Sequence, residues 1–220
     1  MSRLDIGEEF DRTGKLEEAL ASYGKAMAIY QELVKAYPGV SVLQLDLANC
    51  HAELGALLAR QKRFAEAFTH LDAGLAIQQK LAEGDPKNPI YVLRLGYSYG
   101  YRGWALVRSG QPSEAAADLR RAFQLWEKTA TDPNTQFARS QALALLAGLG
   151  GEAKSGVTKE EARTFADQAV TDLTGAVKGG WCRPGELKGS DFDALRGRPD
   201  FQKLVAEVES KSGLKAKPKD

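Results

Sequence analysis

The side chains of this 220-residue chain that could do chemistry at neutral pH are two histidines, two cysteines and a few carboxylate pairs. His51 and His70 stand outside any H-E-x-x-H motif and outside any Cys/His cluster, so no zinc site of recognised spacing is encoded. Gly148-Leu149-Gly150-Gly151 has the glycines of a phosphate-binding loop. No strand pattern precedes it, however, and Ala153-Lys154-Ser155 lacks the glycine that a P-loop places before its lysine. Glu8-Glu9, Glu17-Glu18 and Glu160-Glu161 fall near helix ends on faces expected to be solvated, so a surface role is expected of them. Cys182 follows Trp181 with no base nearby, so packing rather than nucleophilic reactivity is expected of it. These residues carry no catalytic set, no cofactor site and no metal site, and the chain reads as a non-enzyme.

Bulk composition narrows the remaining classes. Hydrophobic residues make up 43% and charged residues 27%, as in a soluble protein with a real core. A formal net charge of +1 gives no electrostatic footprint for nucleic acid or an anionic membrane. The longest apolar stretch, Ala142 to Leu149, is too short to span a bilayer. The N-terminus, with Arg3, Asp5, Glu8 and Glu9, does not resemble a signal peptide, which needs an apolar core. Cys50 and Cys182 sit in helical and loop contexts that suggest no pairing, and a reducing cytoplasm is the expected compartment.

The elements that must position any site are laid out by a repeat. Pro38, Pro86 and Pro133 each precede a glycine by 17 residues: Gly55, Gly103 and Gly150. Each glycine precedes an alanine by 12: Ala67, Ala115 and Ala162, with Gly7 and Ala19 extending the series N-terminally. The proline and glycine series step by 48 and then 47 residues. Such a register means one supersecondary unit copied and stacked, and stacked units make surfaces rather than deep catalytic pockets.

The breakers divide the chain into long helices: Leu16 to Tyr37, Ser41 to Arg60, Phe64 to Ala82, Pro89 to Ser109, Pro112 to Asp132, Asn134 to Ser155 and Thr158 to Lys178. Ser41 with Gln44, and Thr158 with Glu161, have the spacing of capping boxes. Asn88 before Pro89 reads as an N-cap, and so does Asn134. Short connections require antiparallel hairpins. Gly55 and Gly103 lie mid-helix, where glycine costs about 1 kcal/mol against alanine, so another helix must pass close by.

Leu54-Gly55, Leu58, Phe64, Ala67, Leu71, Gly74 and Pro86 together resemble the tetratricopeptide pattern W-x2-L-G-x2-Y, A-x3-F and P. This unit is 14 residues longer than the standard 34, close to four helical turns in all, so each helix could gain about two turns and keep the same face inward. Ala48 to Gly55, Arg63 to Ala67 and Ile77 to Ala82 are also similar to the long repeats of planctomycete signalling proteins, in which such arrays follow a serine/threonine kinase domain or a sigma-factor-like domain. Asp191 to Phe201 is similar to the segment that closes many of those chains. The family pattern often has an aromatic where His51 stands, which makes His51 a packed structural residue.

The resemblance implies an all-α, right-handed solenoid of about four lengthened hairpins, residues 1–38, 39–86, 87–133 and 134–178. A short helical cap, 179–210, would cover the last repeat with Phe192, Leu195, Phe201, Leu204 and Val205, and 211–220 would be a disordered tail. Ala153 and Ala166 mark the fourth unit as degenerate. Only six residues precede Gly7, so the first helix reads as cut short from a longer protein.

Tetratricopeptide arrays place the first helix of each unit on the concave face. The resemblance therefore implies a contact face with Asn49, Ala52, Ala56, Ala59 and Arg60 from one unit and Tyr97, Gly100, Trp104, Val107 and Arg108 from the next. The small residues would make a shallow floor, with Tyr97 and Trp104 as anchors and Arg60 and Arg108 as a charged rim. The competing reading packs Tyr97, Tyr101 and Trp104 between the lengthened helices. Arg12, Arg60 and Arg108 form a ladder that suits an acidic peptide, and equally suits helix C-termini without any ligand. Leu4, Ala52, Gly100 and Ala147 stand where chaperone-binding relatives need lysine, so that specificity is not implied. The expected function is protein–protein interaction, as a scaffold or recruitment region of a larger bacterial signalling protein such as a serine/threonine kinase, with a protein or peptide partner. A peptide-sensing regulator is the alternative, and a region of a sigma-factor-like regulator a lesser one.

Overall fold

The computed structural model describes residues 15–127 and 132–213, and every regular element among them is helical. The long helices are α1 (Leu16–Ala36), α2 (Ser41–Arg60), α3 (Phe64–Gly84), α4 (Pro89–Arg108), α5 (Pro112–Glu127), α6 (Pro133–Gly148) and α7 (Lys159–Lys178). The short α8 (Pro184–Leu187), a 3-10 helix (Ser190–Leu195) and α9 (Pro199–Lys211) follow. Gly7 and Arg12 of the repeat series lie outside the described residues, as does 214–220 of the expected tail.

The helix starts follow local chemistry, with two departures from the expected N-caps. Asn88 caps α4 by accepting from the Ile90 amide at 3.1 Å. Thr158 and Glu161 close a full capping box on α7. At α2, by contrast, Ser41 is the first helical residue and the cap position falls on Val40, so the expected box does not form. Gln44 instead reaches back across the turn and donates to the Pro38 carbonyl at 2.6 Å. At α6 the cap is Asp132 rather than Asn134: its carboxylate accepts from the Asn134 and Thr135 amides and from the Thr135 hydroxyl. Pro133 then becomes the first helical residue, where its missing N–H costs nothing.

The chain divides into two compact units, residues 1–111 and 112–220. The division falls inside the expected third repeat, 87–133, between α4 and α5. Within the first unit, α2 packs on α1 and on α3, and α4 packs on α3 and α2. The α2–α3 hairpin closes at two points of small-residue contact. A Cβ added at Gly55 would lie 2.6 Å from Leu71 Cγ and 3.0 Å from the Ala67 carbonyl oxygen. One added at Gly74 would lie 3.0 Å from the Ala48 carbonyl oxygen and 3.1 Å from His51 Cβ. Positions rise along one helix as they fall along the other, so the pair is antiparallel and its backbones nearly touch.

The second unit repeats the device. A Cβ added at Gly150 would collide with the Ala162 Cβ, at the same repeat positions as Gly55 and Ala67. Helix α6 nevertheless stops at Gly148, not Ser155. Gly151 and Gly156 adopt positive φ, and the buried Ser155 hydroxyl meets the Leu149 and Glu152 carbonyls, folding 149–158 into a tight turn. Phe192, Leu195, Phe201 and Leu204 are buried against Leu143, Leu173 and Val177, while Val205 is partly buried. Trp181, Leu187 and Val208 join them, so residues 181–208 share one core with α6 and α7.

A candidate contact face on α2 and α4

The residues suggested for partner contact all lie on α2 and α4, which pack against each other within the first unit. Tyr101 and Glu53, equivalent positions one repeat apart, are joined directly: the phenol donates to the carboxylate at 3.0 Å. The Glu53 charge, with burial, pushes the Tyr101 phenol well above its usual range, so the proton stays on Tyr101 and the bond persists. Arg60, exposed at the end of α2, acts on the same phenol in the opposite direction.

Trp104 is partly buried and packs on the cluster of Leu58, Ala59, Leu71 and Ala105. Arg108, one turn later, is exposed and places its guanidinium 4.5 Å from the Trp104 ring centroid. A cation over an indole face contributes about 0.5–1 kcal/mol at an exposed site. Trp104 thus touches both the core cluster and the Arg108 guanidinium.

Asn49 is spent differently. Its side-chain oxygen accepts from Gln78 at 3.3 Å, and the Gln78 oxygen accepts from the Ser98 hydroxyl at 2.9 Å. Gln78 is only 2% exposed, so this polar relay through α2, α3 and α4 is an internal fastening. It orients Asn49 with its oxygen inward. Tyr97, at the equivalent position on α4, is half-buried. Ala52, Ala56 and Ala59, expected as a shallow floor, are all buried, and Tyr101 and Trp104 of α4 pack against the cluster that contains Ala59. Arg102, which departs from its apolar repeat equivalents, pairs with Asp72 of α3 at 2.8 Å.

Sequence reasoning missed the Tyr101–Glu53 bond and the Gln78 relay. The signal for the first was present, because the two residues stand 48 apart, one repeat length. Gln78 carried no comparable signal.

The two cysteines differ in exposure, Cys50 being buried and Cys182 exposed. Cys50 is fully buried, and burial pushes its thiol up to about 12, far from a nucleophile. Cys182 is a free thiol whose sulfur lies 3.6 Å from the Val208 carbonyl. The glycines at 148–151 make no anion cradle, since the Gly150, Gly151 and Glu152 amides donate to Ala147, Val157 and Leu149 carbonyls. Among the described residues no group of three or more His, Cys, Asp or Glu could hold a metal, and no helix is long and apolar enough to cross a membrane.

Hairpins closed by small residues at these positions define an all-α, tetratricopeptide-like fold class. A family model described as tetratricopeptide repeat matches residues 47–87, which takes in most of α2, all of α3 and the turn that follows. The match supports assigning this hairpin to the tetratricopeptide-repeat class. No curated protein matches the chain.

Proposed function

We propose that the chain is a protein-interaction module whose α2–α4 face takes an extended segment of a partner protein. Tetratricopeptide repeats generally mediate protein–protein interaction, and stacked helical hairpins offer surface rather than pockets. The observation that carries the reading is the Trp104–Arg108 pair. An indole packed on the core cluster, with a guanidinium over it, is preorganised to meet an apolar side chain next to a carboxylate. Arg60, Tyr97 and Asn49 are the further contact residues along the same two helices. The partner chemistry that fits is a peptide with alternating acidic and apolar residues. The similarity of 48–55, 63–67, 77–82 and 191–201 to planctomycete repeats supports a role in recruitment within a larger bacterial signalling protein, such as a serine/threonine kinase, in the cytoplasm.

The test is selection of a displayed random peptide library on the chain, followed by titration of enriched peptides. Trp126 and Trp181 are 2% and 4% exposed, so a change in tryptophan emission on binding reports mainly on Trp104. Enriched peptides should be acidic, should shift that emission, and should bind Trp104→Ala/Arg108→Ala at least about tenfold more weakly, a loss of 1.4 kcal/mol or more. Peptides that bind the double variant as tightly as the wild type would refute the assignment of this face.

A further inference from the structure

His51 projects from α2 and His70 from α3, and their Nδ1 atoms lie 3.1 Å apart. The ring centroids are 5.2 Å apart with the planes at 42°. Two imidazole nitrogens meet at that distance only when one carries a hydrogen and the other presents a lone pair. The pair must therefore hold one Nδ1–H tautomer and one Nε2–H tautomer. The helices that carry the two rings pass close to each other at this level. Gly74 of α3 brings its backbone against the His51 turn, where an added Cβ would lie 3.1 Å from His51 Cβ. The contact survives one added proton, because an imidazolium still donates through Nδ1. It fails on the second, when both Nδ1 atoms carry hydrogens and face each other as like charges.

We infer that His51 and His70 form a proton-governed clasp, closed at neutral pH, whose double protonation loosens the α2–α3 hairpin. Ionisable side chains that meet α2 from neighbouring helices are Tyr23 and Tyr30 of α1 and Arg94 and Tyr101 of α4, while Glu66 acts on His70 within α3 and Asp72 of α3 pairs with Arg102 of α4. Most have partners of their own: Tyr30 and Arg94 act on Asp46, Tyr101 on Glu53, and Arg102 on Asp72. Glu66 acts on the pair, favouring the charged form of His70, but it is held by Arg63 at 2.6 Å. Burial works the other way and outweighs it, holding both histidines below their usual range. A histidine whose folded pKa is lowered favours the folded state above the unfolded value of about 6.5, and that stability is lost as pH falls below it. The pair titrates as a coupled unit, so the loss belongs to the pair rather than to either ring.

The chain contains only these two histidines, so every imidazole signal of an untagged protein reports the clasp. In 15N-detected NMR at pH 7.5, one ring should be the Nδ1–H tautomer and the other Nε2–H. Two Nε2–H rings titrating independently near 6.5 would overturn the proposal. In parallel, the melting temperature of the first unit should fall by several degrees more between pH 7.5 and 5 in the wild type than in His70→Gln, which cannot titrate. Equal slopes would contradict the clasp. If His70→Gln does not fold, the tautomer measurement on the wild type decides. A rise in melting temperature with zinc at pH 7.5, reversed by a chelator, would also overturn it, because the nitrogens would then be serving a metal.

Discussion

The α2–α3 and α6–α7 hairpins are built on the same register and end in opposite circumstances. Both close on a repeated glycine, Gly55 against Ala67 and Leu71 in one and Gly150 against Ala162 in the other. Thirteen residues before each glycine stands an apolar side chain: Val42 on α2 and Phe137 on α6. Val42 is 58% exposed, and Ile90, its equivalent on α4, is 54% exposed. Phe137 is 9% exposed, stacked on Trp181 at 4.2 Å and flanked by Phe192 at 5.9 Å. The C-terminal segment thus covers Phe137 within the second unit, while Val42 and Ile90 in the first unit are exposed. A repeated position is a geometric slot, and what surrounds it decides whether it is core or surface.

The sharpest break of that comparison is Phe137→Ala against Val42→Ala. Truncating the covered ring should cost about 3–5 kcal/mol in denaturant or calorimetric unfolding, and truncating the exposed valine within about 0.5 kcal/mol. Similar costs at both sites would mean that the two slots are not differently used. Next in size, Gly55→Leu must displace Leu71 or the Ala67 backbone and should lose more than about 2 kcal/mol. A variant that melts like the wild type would put the hairpin contact elsewhere. Smaller still, Asp132→Ala should cost about 1 kcal/mol through the lost α6 cap, while Asn134→Ala should stay within about 0.5 kcal/mol. The reverse ranking would restore Asn134 as the cap.

Much of the first hairpin was legible because its signals are periodic. Glycine, alanine and proline at fixed intervals placed α2 within its true bounds and identified Gly55 as a point of close approach. The α6 end was not legible in the same way. Gly150 looked like a repeat position in a continuing helix, yet Gly151, Ser155 and Gly156 make a turn whose hydrogen bonds compete with another helical turn. The contact face was half legible. The resemblance singled out Trp104 and Arg108, which do stack. It could not show that Ala52, Ala56 and Ala59 are buried, because alanine suits an open floor and a filled one equally well. Nor could it foresee that Gln78, on a different helix, would fasten Asn49 from within.

The central claim is that exposed and half-buried residues of α2 and α4 meet the partner, while the hairpin whose Phe137 is covered by the C-terminal segment does not. Hydrogen–deuterium exchange with and without a library-selected acidic peptide tests this most directly. The account predicts new protection over 41–60 and 89–108 with none over 184–211; protection confined to 133–211 would contradict it.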